Sequence, residues 1–326
     1  MPQIAPYSFE GHVEAALFLG EEPVFALADG TIRFPAGGER TLEAHGGGIL
    51  TAHRDAFAGQ LLTGGEDGRV VATRADGVMS EIGSAGRRWV TSVAGGPNGA
   101  VAFAAGRVAF VRDAKGACRE FPHARTVEDV ALAPKGLRLA TARYDGASLF
   151  FAGTDAAPLE LEWKGAHTGV FFSPDGRFLV TIMQENALHG WRLEDGKHMR
   201  MTGYPAKVKS WSWSAKAKYL ATSGAPAAIL WPFSGRDGPM GKGPLELGTR
   251  GDTMVTAVAC HPTDDLVGIG YADGMILAVR FSDQREALLR RGGGSPVSTM
   301  GWDAKGRFLA FGSEGGEAGV VDITAA

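Results

Sequence analysis

The chain has 326 residues, of which 44% are hydrophobic and 21% charged, and a formal net charge of −3. That length can bury a large core, the composition is neither disordered nor fibrous, and the slightly acidic balance lacks the basic footprint that nucleic-acid binding demands. No run approaches the ~18 apolar residues of a membrane-spanning helix, and residues 1–7 lack the basic and apolar regions of a secretory leader.

Cys118 and Cys260 lie far apart and in no metal-binding spacing, so both are expected to be reduced thiols of a cytoplasmic protein. Glycine, 48 of the 326 residues, is about twice its usual ~7% share. It falls in short clusters between apolar runs, which is the punctuation of many tight turns and therefore of many short strands.

In chain order, residues 4–9 precede any complete repeat. Two faint hairpins follow, over 17–27 around Gly20-Glu21-Glu22-Pro23 and over 51–63 around Phe57-Ala58-Gly59. Clearer copies occupy 93–104, 130–141, 170–181, 211–222, 258–269 and 300–311. The copy at 170–181 shows the logic: Val170-Phe171-Phe172, a Ser173-Pro174-Asp175-Gly176 turn, then Phe178-Leu179-Val180. Proline pre-sets φ and Asp-Gly supplies the reversal.

A second hairpin follows each first one. Its turns end at Gly30, Gly68, Gly106, Gly146, Asn186, Pro226, Gly274 and Gly316, spaced 38, 38, 40, 40, 40, 48 and 42 residues. The 48-residue interval contains the Gly/Pro-rich stretch 234–252, read as a long loop. Helical periods of ten or more residues are missing, which argues against α/β folds.

Two hairpins every ~40 residues are the period of four-stranded propeller blades. The expected fold is all-β: a single domain over 1–326, a β-propeller of eight four-stranded antiparallel blades, with seven as the alternative count. The last repeat supplies only three strands, so residues 4–9 are expected to complete it as an outer strand, the alternative being a loose tail.

The segment Gly165-Ala166-His167-Thr168-Gly169-Val170-Phe171-Phe172-Ser173-Pro174-Asp175-Gly176 resembles the WD-repeat family, as do Gly11-His12 and Ala44-His45. The Trp-Asp dipeptide is replaced by Phe34-Pro35, Trp191-Arg192, Trp231-Pro232 and Val321-Asp322. The resemblance implies hydrogen-bonded ties between loops, made by a histidine, a turn aspartate, a strand Ser/Thr and the Trp. His12, His45 and His167, with Asp29, Asp67, Asp145 and Asp273, hold the matching positions, but no repeat keeps all four members.

None of the eight histidines falls in a metal-ligand spacing, and neither a nucleophile elbow nor a phosphate loop occurs. The chain is thus expected to be no enzyme, to need no cofactor or metal, and to act as a monomeric scaffold for one or more other proteins, without nucleic-acid or membrane partners. The competing reading is an enzyme or a small-ligand or metal-binding propeller using the central channel. Loops between blades and second-hairpin turns gather on one face in such a fold. Arg88, Trp89, Arg125, Glu128, Arg143, Tyr144, Gln184, Lys209 and Tyr271 are the candidate partner-binding residues there, because Trp, Tyr and Arg dominate interface hot spots.

Overall fold

The structure, a computed structural model, describes residues 2–325 and consists of strands, turns and two single-turn 3₁₀ segments. Two units of dense internal contact form: Met1–Ala28 with Ile32–Thr41 and Tyr204–Ala326, and Asp29–Thr31 with Leu42–Gly203.

In the first unit, β1 (Gln3–Ser8) is followed by the sheet of β2 (Val13–Leu19), β3 (Glu22–Leu27), β4 (Thr31–Phe34) and β5 (Arg40–Glu43), whose last strands run over the unit boundary. The second unit opens with β6 (Ile49–Asp55), β7 (Gln60–Gly65), β8 (Arg69–Thr73) and β9 (Met79–Ser84). Next come β10 (Ser92–Gly95), β11 (Val101–Ala105), β12 (Val108–Arg112) and β13 (Cys118–Pro122). Its third sheet has six strands: β14 (Asp129–Leu132), β15 (Arg138–Phe151), β16 (Leu159–Phe172), β17 (Phe178–Met183), β18 (Ala187–Arg192) and β19 (His198–Met201).

The first unit resumes with β20 (Trp211–Trp213), β21 (Tyr219–Thr222), β22 (Ala228–Pro232) and β23 (Leu245–Leu247). Then follow β24 (Val255–Cys260), β25 (Leu266–Tyr271), β26 (Ile276–Arg280) and β27 (Glu286–Arg290), and last β28 (Val297–Trp302), β29 (Phe308–Ser313) and β30 (Glu317–Asp322). β1 joins this last sheet, pairing antiparallel with β30 from Gln3 opposite Asp322 to Ser8 opposite Glu317. It covers an edge that would otherwise present unpaired backbone.

The expectation of eight separate four-stranded blades is corrected: seven sheets form, six of four strands and one of six. The reason lies in β15 and β16, each 14 residues long. β15 changes direction at Asp145 (φ 66°) and Gly146 (φ 135°), where its pairing to β16 shifts register and then continues. β16 bends at Gly165 (φ 126°), between Trp163 and His167, and goes on to pair with β17. The repeats at 130–141 and 170–181 therefore share one hydrogen-bonded sheet.

Within each unit, neighbouring sheets bury their faces against one another. Leu62 and Val70 meet Val93, Phe103 and Phe110 in the second unit; Leu230 and Leu247 meet Val258, Val267 and Ile269 in the first. Phe103 and Phe110 stack at 4.6 Å, and truncating the fully buried Phe103 to Ala would cost about 3–5 kcal/mol. The register shifts by one residue at the same place in five sheets, at Val13/Ala15, Ile49/Thr51, His167/Gly169, Val255/Ala257 and Val297/Thr299. Such bulges re-aim a strand end and the loop before it.

Turn glycines admit those loops. At Gly68 (φ 79°) an added Cβ would lie 2.1 Å from the Gly86 carbonyl oxygen, so the chain comes close only because no side chain is there.

Candidate functional site

The loops of the second unit are held by polar ties. His45 Nδ1 donates to Asp67 Oδ1 at 2.9 Å, and its Nε2 lies 2.9 Å from Thr63 Oγ1. Asp67 also accepts the backbone N–H groups of Arg69 and Gly46, both at 3.0 Å. Burial alone would raise this carboxyl, but the bonds from His45, Arg69 and Gly46 hold it below its ordinary pKa.

His167 is fully buried, with Nδ1 2.7 Å from Thr181 Oγ1 and Nε2 donating to the Trp163 carbonyl at 2.9 Å. Asp145 accepts the Gly165 N–H at 3.2 Å. Asp29 Oδ1 accepts the Thr31 N–H and hydroxyl, and Asp273 Oδ1 accepts the Met275 N–H while its carbonyl accepts Gly293 and Gly294. His12 departs from expectation. Its ring is half-exposed with Nε2 3.7 Å from Glu14, and the tie there is a backbone bond from Ala28 N–H to the His12 carbonyl.

Two polar centres escaped the sequence reading. Tyr204 takes the histidine's place in the first unit. Its buried hydroxyl accepts Trp231 Nε1–H at 2.6 Å and lies 2.7 Å from Thr222 Oγ1, and burial pushes its pKa up to about 12. Its position one repeat length after His167 was the available signal. Asp129 is the other: Oδ1 accepts the Ser92 hydroxyl at 2.5 Å and Oδ2 the Val170 N–H at 2.8 Å, so it joins β10, β14 and β16. Burial raises it to about 6 against these bonds.

The expected partner-binding residues divide. Trp89 is 57% exposed, beside exposed Arg88, whose guanidinium stands 5.4 Å over the Phe110 ring. Val90 N–H bonds to Gly65 as Val127 N–H bonds to Gly106, so Trp89 occupies in its entry loop the place that Thr126 holds in the next. Tyr144 is 44% exposed, with the Arg125 guanidinium 4.7 Å over its ring.

A cleft of about 1180 Å³ opens beside Tyr144, lined by 122–125, by Arg143, Ser148 and Phe150 of β15, by Glu160, Glu162 and Trp163 of β16, and by Met183, Glu185 and Arg200. A smaller hollow of about 300 Å³ adjoins it through Arg125 and Tyr144 and includes Arg107 and Glu128. Arg143 is only half-exposed and committed: it donates to Ser148 Oγ at 3.0 Å and to Glu160 at 2.5 Å. Gln184 is exposed next to Glu185, and Lys209 is exposed in the first unit. Tyr271 is a correction. It is wholly buried, its hydroxyl donating to the Gly248 carbonyl, because it follows Ile269 on the inward face of β25.

Among the described residues no three His, Cys, Asp or Glu side chains are placed to hold a metal ion, and no helix is long and apolar enough to cross a membrane.

The family model for the anaphase-promoting complex subunit 4 WD40 domain matches residues 258–326. No curated protein matches the sequence. Many solved structures are similar in fold, two of them as follows. The computationally designed Ika8 protein is 20% identical over 97% of this chain and 98% of that one, with a TM-score of 0.77. A chain of the Mitotic Checkpoint Complex is 15% identical over 81% and 84%, with a TM-score of 0.65. The fold is that of the β-propellers, and residues 258–326 are similar to a WD40 domain.

Proposed function

We propose that this protein is a non-catalytic scaffold that holds other proteins through the loop face of its second unit, around Trp89 and the Arg125–Tyr144 pair. One observation carries the reading: Trp89, in the loop before β10, and Tyr144, at the bend of β15, stand exposed, each beside an exposed arginine, Arg88 and Arg125. Exposed Trp and Tyr beside Arg are the side chains that anchor protein interfaces. A propeller of similar fold sits in a multi-protein assembly, the Mitotic Checkpoint Complex, which agrees with this use of the fold. Such a scaffold would work in the cytoplasm.

The test is co-purification from native cells with the wild-type chain and with Trp89→Ala and Tyr144→Ala. Loss of a hot-spot aromatic costs about 2 kcal/mol or more, roughly a thirtyfold weakening, so retained partners should fall away. Unchanged partners on variants with unchanged melting would reject the face.

A further inference from the structure

Both ring nitrogens of His189 are buried without a hydrogen-bond partner among the described residues, although protein interiors pair nearly all their polar groups. The imidazole is sealed by rings instead. Trp163 of β16 stacks on it at 4.1 Å, His198 of β19 at 5.2 Å, and Trp191 stands edge-on at 4.7 Å. The titratable groups that act on it are all basic: His198 and Arg200 from β19 and His167 from β16. Its own strand adds Arg192, which is bonded to Asp195, and β17 carries no titratable side chain. Glu162 and Lys164 flank Trp163 and are exposed. A proton on His189 would therefore meet no acceptor, and burial holds its pKa down to about 3.

The cover is thin on one side. β19 is the edge strand of its sheet, four residues long, and pairs with β18 from Leu188 opposite Met201 to Trp191 opposite His198. Its Met199 and Met201 are buried and hold it down, while His198 and Arg200 are exposed. Two hollows abut the stack: the cleft of about 1180 Å³ reaches Trp163 and Arg200, and another of about 550 Å³ reaches Trp191 and His198. His189 lines neither, so water meets the ring only when β19 leaves β18.

We infer that His189 is an acid-operated latch on the cleft: its protonation releases β19 from β18, and Trp163, losing its stacking partner, frees the wall it forms with Arg200. Once open, the ring titrates at about 6.5. Opening is therefore indifferent to pH above that value and becomes about tenfold more frequent for each pH unit below it, down to the pKa of the closed form. The motion is local, since a short edge strand belongs to the least stable part of a sheet. The latch does not depend on the scaffold reading, which co-purification at pH 7.5 tests separately.

The experiment is native-state hydrogen exchange on the full chain at pH 7.5, 6.5, 5.5 and 4.5, each rate divided by the intrinsic rate at that pH. Amides of β19 should exchange well before those of β7 and β11 and respond little to low urea, the mark of a local opening, and their protection should fall about tenfold per pH unit between 6.5 and 4.5. In His189→Phe, or in His189→Leu should the larger ring not fold, that fall should disappear. β19 amides that exchange only together with β7 and β11, by global unfolding, would overturn the latch. So would a fall of the same slope in the variants, or none in the wild type.

Discussion

His189 should make the protein sensitive to acid, and replacing it with phenylalanine should remove most of that sensitivity. The ring is wholly buried in the second unit, stacked 4.1 Å from Trp163 and edge-on to Trp191 at 4.7 Å, and neither of its nitrogens has a hydrogen-bond partner among the described residues. Burial holds its pKa down to about 3, and His198, His167 and Arg200 add repulsion. In the unfolded chain the ring titrates near 6.5. The folded form therefore refuses a proton that the unfolded form accepts: the stability is whole above about pH 6.5 and drains away as pH falls toward 3. Two pH units below 6.5, at pH 4.5, the loss is about 3 kcal/mol.

His189→Phe keeps a ring between the tryptophans and cannot be protonated. Any repacking cost at pH 7.5 is present at pH 4.5 as well and cancels in the comparison. His123 and His53, both lowered chiefly by burial, remain in both proteins and cancel too. Urea unfolding at pH 7.5, 5.5 and 4.5 should show the variant gaining on the wild type by about 3 kcal/mol across that span. A gap constant to within about 0.5 kcal/mol would show that the ring is not held neutral and would refute the reasoning.

Asp129 runs the opposite way. Its folded pKa of about 6 exceeds the usual 3.8, so its protonation stabilises the fold as pH drops through 6. Asp129→Asn should gain up to about 3 kcal/mol on the wild type at pH 8, and that advantage should vanish below about pH 4, read by the same unfolding curves. Tyr204→Phe removes the acceptor of Trp231 Nε1 and should cost about 1–3 kcal/mol, with a double-mutant cycle against Thr222→Val showing strong non-additivity. Gly68→Ala places a Cβ against the Gly86 carbonyl at positive φ and should destabilise the fold by more than about 2 kcal/mol in thermal melts, whereas Gly59→Ala, at φ 65° with open space around it, should cost only about 1 kcal/mol.

The hairpins were legible because their signals are local. Asp-Gly turns and two-residue alternation say where strands begin and end whatever they pack against, and the three-strand last repeat announced the place of β1. The sheet count was less legible, because nothing local tells whether strand pairing continues through Asp145-Gly146 and Trp163. Tyr271 could have been placed: alternation with Ile269 puts it inside, but its neighbourhood to a turn outweighed the parity of its strand. Tyr204 was hidden by a change of chemistry. A phenol does what an imidazole does elsewhere, and only its bonds to Trp231 and Thr222 reveal the substitution.

The residues that shape the loops and those proposed to use them form separate sets. His45, Asp67, His167 and Tyr204 bring buried or largely shielded polar groups to each tie, and replacing one strands the partners of the others. Trp89, Arg125 and Tyr144 take no part in these ties and stand exposed. Substituting Trp89 by Ala should leave stability within about 0.5 kcal/mol of wild type, since surface changes away from caps, cavities and networks fall in that range. Binding loss without stability loss then becomes the signature of the recognition face. A Trp89→Ala chain that melts several degrees lower would instead mean that the indole packs in the fold, and the scaffold reading would lose its principal observation.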